Sequence, residues 1–217
     1  QDWGEELGKE IRGLRIAFVP TLGDARVDPE VAKCVRQAAN RLASLGADVE
    51  EVEPEIDASL QVFNTLWFTA SLAVYREHSE EQRSLLDPGL VDDARRAERL
   101  TALEMFYARE KRARLTEQLE HFNQRYHLVM TPSVAVPPFA LHHDVPPGSG
   151  MRDWAEWSPF SYPFNLSQQP AASVPCGFTP QGLPVGFQLA AGKHDDARIL
   201  RVSHAYLEAF PMAYPGE

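Results

Sequence analysis

A chain of 217 residues, 44% hydrophobic and 24% charged, can bury a sizeable core and has the composition of an ordinary globular protein. The formal net charge of −10 argues against a nucleic-acid-binding surface, which needs clustered Lys and Arg. No apolar run reaches the roughly 20 residues of a membrane-spanning helix, and the first residues lack the basic and apolar regions of a signal peptide.

The first elements along the chain form a β-α-β unit. The apolar run Arg15–Pro20 predicts a strand. Asp28, Pro29 and Glu30 then place an N-cap, a first-turn proline and an acidic first turn at the start of a helix, which Gly46 ends. Residues 48–53 alternate polar and apolar side chains, as a half-exposed strand does.

Residues 57–123 show almost no strand pattern, and we interpret them as an insertion-like helical subregion rather than a separate domain. A break is expected at Asp87, Pro88 and Gly89, and a long helix over Thr101–Phe122. We expect the adjacent pairs Asp92-Asp93 and Asp195-Asp196 to lie at helix starts, where capping and the helix dipole explain them without an acid–base role.

The last third returns to strands. Leu128–Ser133 predicts a buried strand, the Pro- and Gly-rich residues 134–150 a loop, and Ala171–Val174 and Val185–Ala190 two further strands. An amphipathic helix capped by Asp195 is expected to run to about Phe210, with a loose tail at 211–217. The predicted fold class is therefore α/β, a mixed sheet flanked by helices.

The two cysteines are interpreted as core thiols. Cys34 falls on the buried face of the predicted helix and Cys176 at a strand end, far apart and without the spacing of a metal site. Free thiols fit a reducing, cytoplasmic compartment. The adjacent His142 and His143 diverge in an extended loop, so we expect neither a metal nor another cofactor.

A search for nucleophilic chemistry finds no candidate. The chain has no Gly-x-Ser-x-Gly elbow and no Ser-x-x-Lys pair. Its four lysines, at 9, 33, 111 and 193, have the neighbours of solvated surface residues. Ser149 is flanked by glycines in a segment that is better explained as a flexible loop. We therefore predict no catalytic residue in this chain.

Aromatic side chains crowd into positions 154–164, at Trp154, Trp157, Phe160, Tyr162 and Phe164. Core packing explains such a cluster, and so does the apolar wall of a substrate pocket. Trp67 and Phe68 on the helical subregion are candidates for the same wall.

The segment Trp157–Phe178, followed by Gly182–Gly192, resembles the C-terminal part of amidase signature enzymes, a family of Ser–cis-Ser–Lys amide hydrolases. The runs Gly13–Pro20, Val27–Val31 and Leu45–Val52 resemble the opening of that part, in the same order. The resemblance covers nearly the whole chain and implies the C-terminal portion of the amidase signature fold over 1–217. It also implies that the catalytic serines and lysine lie upstream, so that this chain supplies scaffold and pocket wall but not the triad.

The resemblance further implies which residues line a substrate pocket. In the tRNA-dependent amidotransferase branch of the family, an acidic residue that contacts the substrate stands where this chain has Ser158. That difference favours a less polar amide. The family often has Gly where this chain has Gln168, a bulkier group that would narrow the pocket or add a hydrogen bond. The expected substrate-binding residues are Trp67, Ser158, Phe160, Phe164 and Gln168.

The expected partners are a small-molecule amide, in the complete enzyme, and the N-terminal half of the amidase. A sheet separated from its other half exposes strand edges, so we also expect association or a homodimer. No nucleic acid or membrane is expected. The alternative function is a non-catalytic α/β ligand-binding or interaction module. A carboxyl-transfer or urea-derivative enzyme with an amidase part is a third interpretation.

Overall fold

A mixed β-sheet organises the chain in the computed structural model, which describes residues 3–56 and 60–212. The strands are β1 (Arg15–Phe18), β2 (Asp48–Glu51), β3 (Leu128–Pro132), β4 (Ala171–Phe178) and β5 (Pro184–Ala191). The helices are α1 (Gly4–Leu7), α2 (Pro29–Ser44), α3 (Leu60–Glu77), α4 (Glu80–Arg83), α5 (Pro88–Ala97), α6 (Ala102–Arg125), α7 (Tyr162–Ser167) and α8 (Asp196–Ala209), with a short 3-10 helix at Trp154–Glu156.

The strand order is β2-β1-β3-β5-β4. β1 pairs in parallel with β2 and β3, whereas β5 pairs antiparallel with β3 and β4. The predicted fold class, an α/β protein with a mixed sheet and flanking helices, is confirmed. None of the described helices is long and apolar enough to cross a membrane.

The β1-α2-β2 unit forms as its sequence predicts. The Asp28 carboxylate accepts a hydrogen bond from the Glu30 N–H at 2.8 Å, and Pro29 opens the helix. Gly46 follows the helix with a φ of 95°, a left-handed conformation that a side chain would strain. Because these signals agree with the amphipathic pattern of α2, both ends of the helix are set locally.

Alternation along the strands gives the sheet two different faces. One face packs on α2 and α8 through Phe18, Met130, Phe187 and Leu189 and other buried side chains. The opposite face, called here the α6 face, packs on α3, α6 and α7 through the buried residues Val129, Ala190, Leu115, Leu119 and Phe160. Residues of β3, β4 and β5 that share a face with Val129 and Ala190 therefore point toward α7.

The region predicted to be helical contains α3, α4, α5 and α6, and residues 57–59 at its predicted start lie outside the described residues. Asp87 caps α5 by accepting from the Leu90 N–H at 3.1 Å, and Thr101 and Glu104 form a capping box on α6. The expectation for Asp92-Asp93 is wrong: α5 begins at Pro88, so the pair lies inside the helix. Asp195 and Asp196 do lie at the start of α8.

The cysteine predictions hold for Cys34 but not for the position of Cys176. Cys34 is buried on α2, as predicted, while Cys176 lies within β4 rather than at its end. Burial raises the pKa of the Cys176 thiol to about 12. A thiol with such a pKa stays protonated at neutral pH and is inert as a nucleophile.

The two edges of the sheet differ in charge. β2 carries Glu50 and Glu51, and Glu51 forms an ion pair with Arg36 on α2 at 2.6 Å. Charged side chains of this kind protect an edge strand from further pairing. β4 is uncharged, and Ala171 and Ser173 on it are exposed. The β4 edge is therefore the one that remains open to another strand.

Candidate functional site

Hydroxyl and amide side chains gather on the α6 face where β3, β4 and β5 lie side by side. Ser133 and Ser173 approach each other with their Oγ atoms 2.7 Å apart. Gln188 donates from Nε2 to Thr131 Oγ1 at 3.2 Å and to the Phe160 carbonyl at 2.9 Å. We call these four side chains, Thr131, Ser133, Ser173 and Gln188, the polar floor.

Gly186 allows the two serines to meet. A Cβ at this position would lie 3.0 Å from Ser133 Oγ and 3.0 Å from Ser173 Oγ, tighter than most real Cβ contacts, so one of the hydroxyls would have to move. The Gly186 carbonyl also accepts from the Ser133 N–H at 3.0 Å, which fixes the end of β3. Glycine is therefore needed at position 186 because a side chain there would crowd the two serines, and not because the backbone is left-handed.

The polar floor presents hydroxyl and amide groups, and its serines have no basic side chain bonded to them among the described residues. In residues 3–56 and 60–212, neither serine of the floor is hydrogen-bonded to a lysine or histidine side chain. Lys9 pairs with Glu6 and Lys193 with Glu120, while Lys33 and Lys111 are exposed on helices. A serine hydroxyl is a weak nucleophile without an adjacent base, and these contacts supply none to Ser133 or Ser173.

Four aromatic rings contact one another in a continuous cluster on the same side of the sheet. Phe63 of α3 stacks on Tyr162 of α7 with centroids 5.1 Å apart. Trp67 lies 5.6 Å from Phe63 and 5.4 Å from Trp154, which it meets edge to face. We call Phe63, Trp67, Trp154 and Tyr162 the aromatic wall. With 44% of Trp67 exposed, the wall has an open apolar end.

An ion-paired carboxylate fixes the exposed end of that wall. The Trp67 indole N–H donates to Asp93 Oδ2 at 3.0 Å, and Asp93 is only 9% exposed. Arg96 lies 3.7 Å from Asp93 and 3.0 Å from Asp153, the residue before Trp154. Burial raises the pKa of the Asp93 carboxyl, although the Trp67 hydrogen bond and Arg96 oppose the shift. The side chains of α5 thus fix two tryptophans of the wall, Trp67 directly and Trp154 through Asp153.

The residues expected to bind substrate lie at different depths. Ser158 is 4% exposed, and its hydroxyl donates to the Trp154 carbonyl at 3.4 Å. Phe160 and Phe164 are core residues behind the wall. Gln168 is exposed in a left-handed conformation at the end of α7, with a φ of 60°. Trp67 is the one of the five that lies in the wall itself, and Phe160 reaches the floor through its carbonyl.

Sequence reasoning misses the polar floor and Phe63. Alternation could have suggested part of the floor: Gln188 separates the apolar Phe187 and Leu189 in a strand, which predicts a polar group on the opposite face. The Ser133–Ser173 contact joins residues 40 positions apart. It follows from the strand order, which no local pattern contains.

A mixed sheet flanked by helices, with aromatic rings and hydrogen-bonding side chains on one of its faces, defines an α/β domain. The family model Amidase matches residues 1–200. The chain belongs to the amidase signature family.

The chain is 32% identical to an acylamidase of Rhodococcus erythropolis over 210 residues, which cover 94% of this chain and 44% of that protein. It is 29% identical to a glutamyl-tRNA(Gln) amidotransferase subunit from Synechococcus sp. strain RCC307, covering 96% of this chain and 47% of that protein. The chain thus spans about half the length of the curated relatives it matches.

Solved structures share the fold. A bacterial aryl acylamidase of the family superposes with a TM-score of 0.80 at 22% identity, over 97% of this chain and 46% of the other. A substrate complex of 6-aminohexanoate cyclic dimer hydrolase gives a TM-score of 0.80 at 23% identity, over 98% and 48%. The amidase signature fold is therefore shown for the matched part.

Proposed function

We propose that this chain is the C-terminal half of an amide hydrolase of the amidase signature family. The observation that carries the proposal is the aromatic wall beside a polar floor that has no lysine or histidine bonded to its serines in the described residues. Aromatic and hydrogen-bonding groups without an activated nucleophile support a half that contributes the pocket while another segment contributes the triad.

The substrate is proposed to be a small amide with an apolar or aromatic part. Such a part would pack on the open end of the wall at Trp67, while floor hydroxyls and Gln188 orient polar groups. Phe160 and Phe164 support the wall from the core, Ser158 positions Trp154, and Gln168 borders the pocket from the end of α7. The name of the Rhodococcus acylamidase agrees with this class of substrate.

The division of chemistry follows from the family resemblance. A serine of the other half would attack the amide carbonyl through a neutral lysine and a bridging serine, forming an acyl-enzyme and releasing the amine. Water would then release the acid. The part of this chain is to hold the substrate against that serine, so that the attack becomes effectively intramolecular.

The proposed partner is the N-terminal half of an amidase, and the β4 edge is its proposed attachment point. β4 is neutral and exposes Ala171 and Ser173, whereas the β2 edge is acidic. A strand added at β4 would lie directly beside the floor serine Ser173. Residues 1–217 are proposed to be one part of a single domain, and the free thiols of Cys34 and Cys176 support a cytoplasmic location.

The experiment compares the purified chain with a chimera in which it replaces the matched half of the Rhodococcus erythropolis acylamidase. Both are treated with a fluorophosphonate that labels activated serines, and both are assayed with a nitroanilide. The chain alone should give no adduct and no turnover, and the chimera should give both. In the chimera, Trp67→Ala should lower kcat/KM for the anilide about tenfold, since it removes an apolar ring from the wall.

The matched control is Trp157→Ala. Trp157 packs on Phe139 and donates to the Asp144 carbonyl, outside the wall, so its loss should leave kcat/KM for the anilide unchanged. An adduct or turnover with the isolated chain would show that the nucleophile is here after all. A chimera that unfolds cooperatively but hydrolyses no amide would overturn the proposed function.

A further inference from the structure

Three large apolar side chains are exposed together at the start of α6. Leu103, Phe106 and Tyr107 are 59%, 57% and 56% exposed, and the rings of Phe106 and Tyr107 touch with centroids 5.8 Å apart. Scattered exposed leucines are ordinary, but three neighbouring side chains of this size form a patch of the kind that marks a protein interaction site.

A groove lies directly beside this patch, between α3 and α6. Its volume is about 610 Å³, and its walls include Leu60, Phe68, Leu100 and Tyr107. A protruding aromatic pair at the edge of an apolar groove suits a twofold contact, in which the rings of each copy pack on the α6 edge of the other copy's groove. Such a contact is isologous and closes as a dimer.

The charged residues at the groove fit the same twofold contact. Glu104 and Lys111 both line it. They are seven residues apart on one helix, or about 10.5 Å along its axis. In the described parts of the chain, Lys111 is in no ion pair. If two α6 helices pack antiparallel about an axis between residues 107 and 108, Glu104 of each copy faces Lys111 of the other.

We infer that the face formed by Leu103, Glu104, Phe106, Tyr107 and Lys111, called here the α6 patch, binds a second copy of this chain. The contact combines an apolar centre with two symmetry-related ion pairs, the arrangement found in specific homodimers. The α6 patch is separate from the β4 edge and does not include the floor or the wall. Self-association through the α6 patch can therefore be measured on this chain without any assay of amide hydrolysis.

The test is sedimentation velocity of the purified chain over a range of concentrations, with two charge reversals. Wild type should form a dimer. Lys111→Glu gives a homodimer with Glu facing Glu, and Glu104→Lys one with Lys facing Lys. Each should weaken self-association about tenfold or more, since two pairs change from attraction to repulsion. An equimolar mixture restores both pairs and should form a heterodimer with near wild-type affinity.

The mixture also controls for folding, because Glu104 belongs to the capping box of α6 and its loss weakens the helix end. Lys33→Glu is the matched control: it makes the same charge change on α2, on the other side of the sheet, and should leave association unchanged. A monomer at every concentration would overturn the inference. A dimer that survives both reversals forms through another surface, such as the β4 edge, and would overturn it too. Displacement of the second copy by an amidase N-terminal half would assign the α6 patch to that half instead.

Discussion

Gln188 joins three parts of the candidate site, so its replacement by Glu is a demanding test of the structure. The amide Nε2 donates to Thr131 Oγ1 in β3 and to the Phe160 carbonyl before α7, at 3.2 and 2.9 Å. Glu has the same shape but, when ionised, has no proton to donate. In Gln188→Glu, a carboxylate would therefore face two acceptor oxygens.

The expected loss is about 2–4 kcal/mol in the free energy of unfolding at pH 7.5. Leaving a buried acceptor without its donor costs about 1–3 kcal/mol, and here two acceptors lose the same donor group. A repelled carboxylate has a folded-state pKa above its unfolded value of about 4.3. Once protonated, the introduced carboxyl can donate again, so the variant should recover stability below that unfolded value and lose it as the pH rises through the folded-state pKa.

Urea denaturation at pH 4 and pH 7.5 measures both effects. Gln188→Met removes the donor without adding charge and should show a loss that does not depend on pH. Gln181→Glu makes the same chemical change in the exposed turn between β4 and β5 and should be nearly neutral. A Gln188→Glu variant as stable as wild type at pH 7.5, or equally destabilised at both values, would refute the assigned donor role of Gln188.

Two further predictions concern Asp93, which holds Trp67, and Gln168, which ends α7. Because burial raises the pKa of Asp93, its stabilising contribution is fully present below the unfolded pKa of about 3.9 and is lost as the pH rises through the folded-state value. The stability of wild type relative to Asp93→Asn, from urea denaturation between pH 3.5 and 7, should therefore fall with rising pH; a constant difference would contradict the buried setting. Gln168 has a φ of 60°, so thermal denaturation should show Gln168→Gly at least as stable as wild type and Gln168→Val about 1–2 kcal/mol less stable. Equal stability of the two variants would exclude the left-handed conformation.

The elements that the sequence predicts well are those that local chemistry determines. Asp28 and Pro29 start α2, Thr101 starts α6, and polar–apolar alternation marks β2. Each signal involves groups a few residues apart, so the order of the sheet does not affect it. The prediction that Asp92-Asp93 starts a helix overlooked Asp87, which is an equally good N-cap. Asp87 is followed by Pro88, a residue favoured at the first helical position.

The candidate site is harder to predict because its contacts are non-local. Ser133 and Ser173 meet only because β5 inserts between β3 and β4 and because residue 186 has no side chain. The helical subregion makes Trp67 a candidate for a pocket wall, but local sequence assigns its partner Asp93 to helix capping. Compositional crowding predicts that aromatic residues pack together; it does not show which ring remains open to solvent.

The aromatic wall and the polar floor are connected by hydrogen bonds to the main chain as well as by side-chain packing. Gln188 holds the Phe160 carbonyl, and α7, which follows it, carries Tyr162 into contact with Phe63. At the other end, Asp93 and Arg96 hold Trp67 and the segment before Trp154. All these contacts lie within this chain. In the proposed enzyme, a wall and floor held by this chain's own hydrogen bonds would need little reorganisation when another segment supplies a nucleophile, and such preorganisation is what positioning catalysis requires.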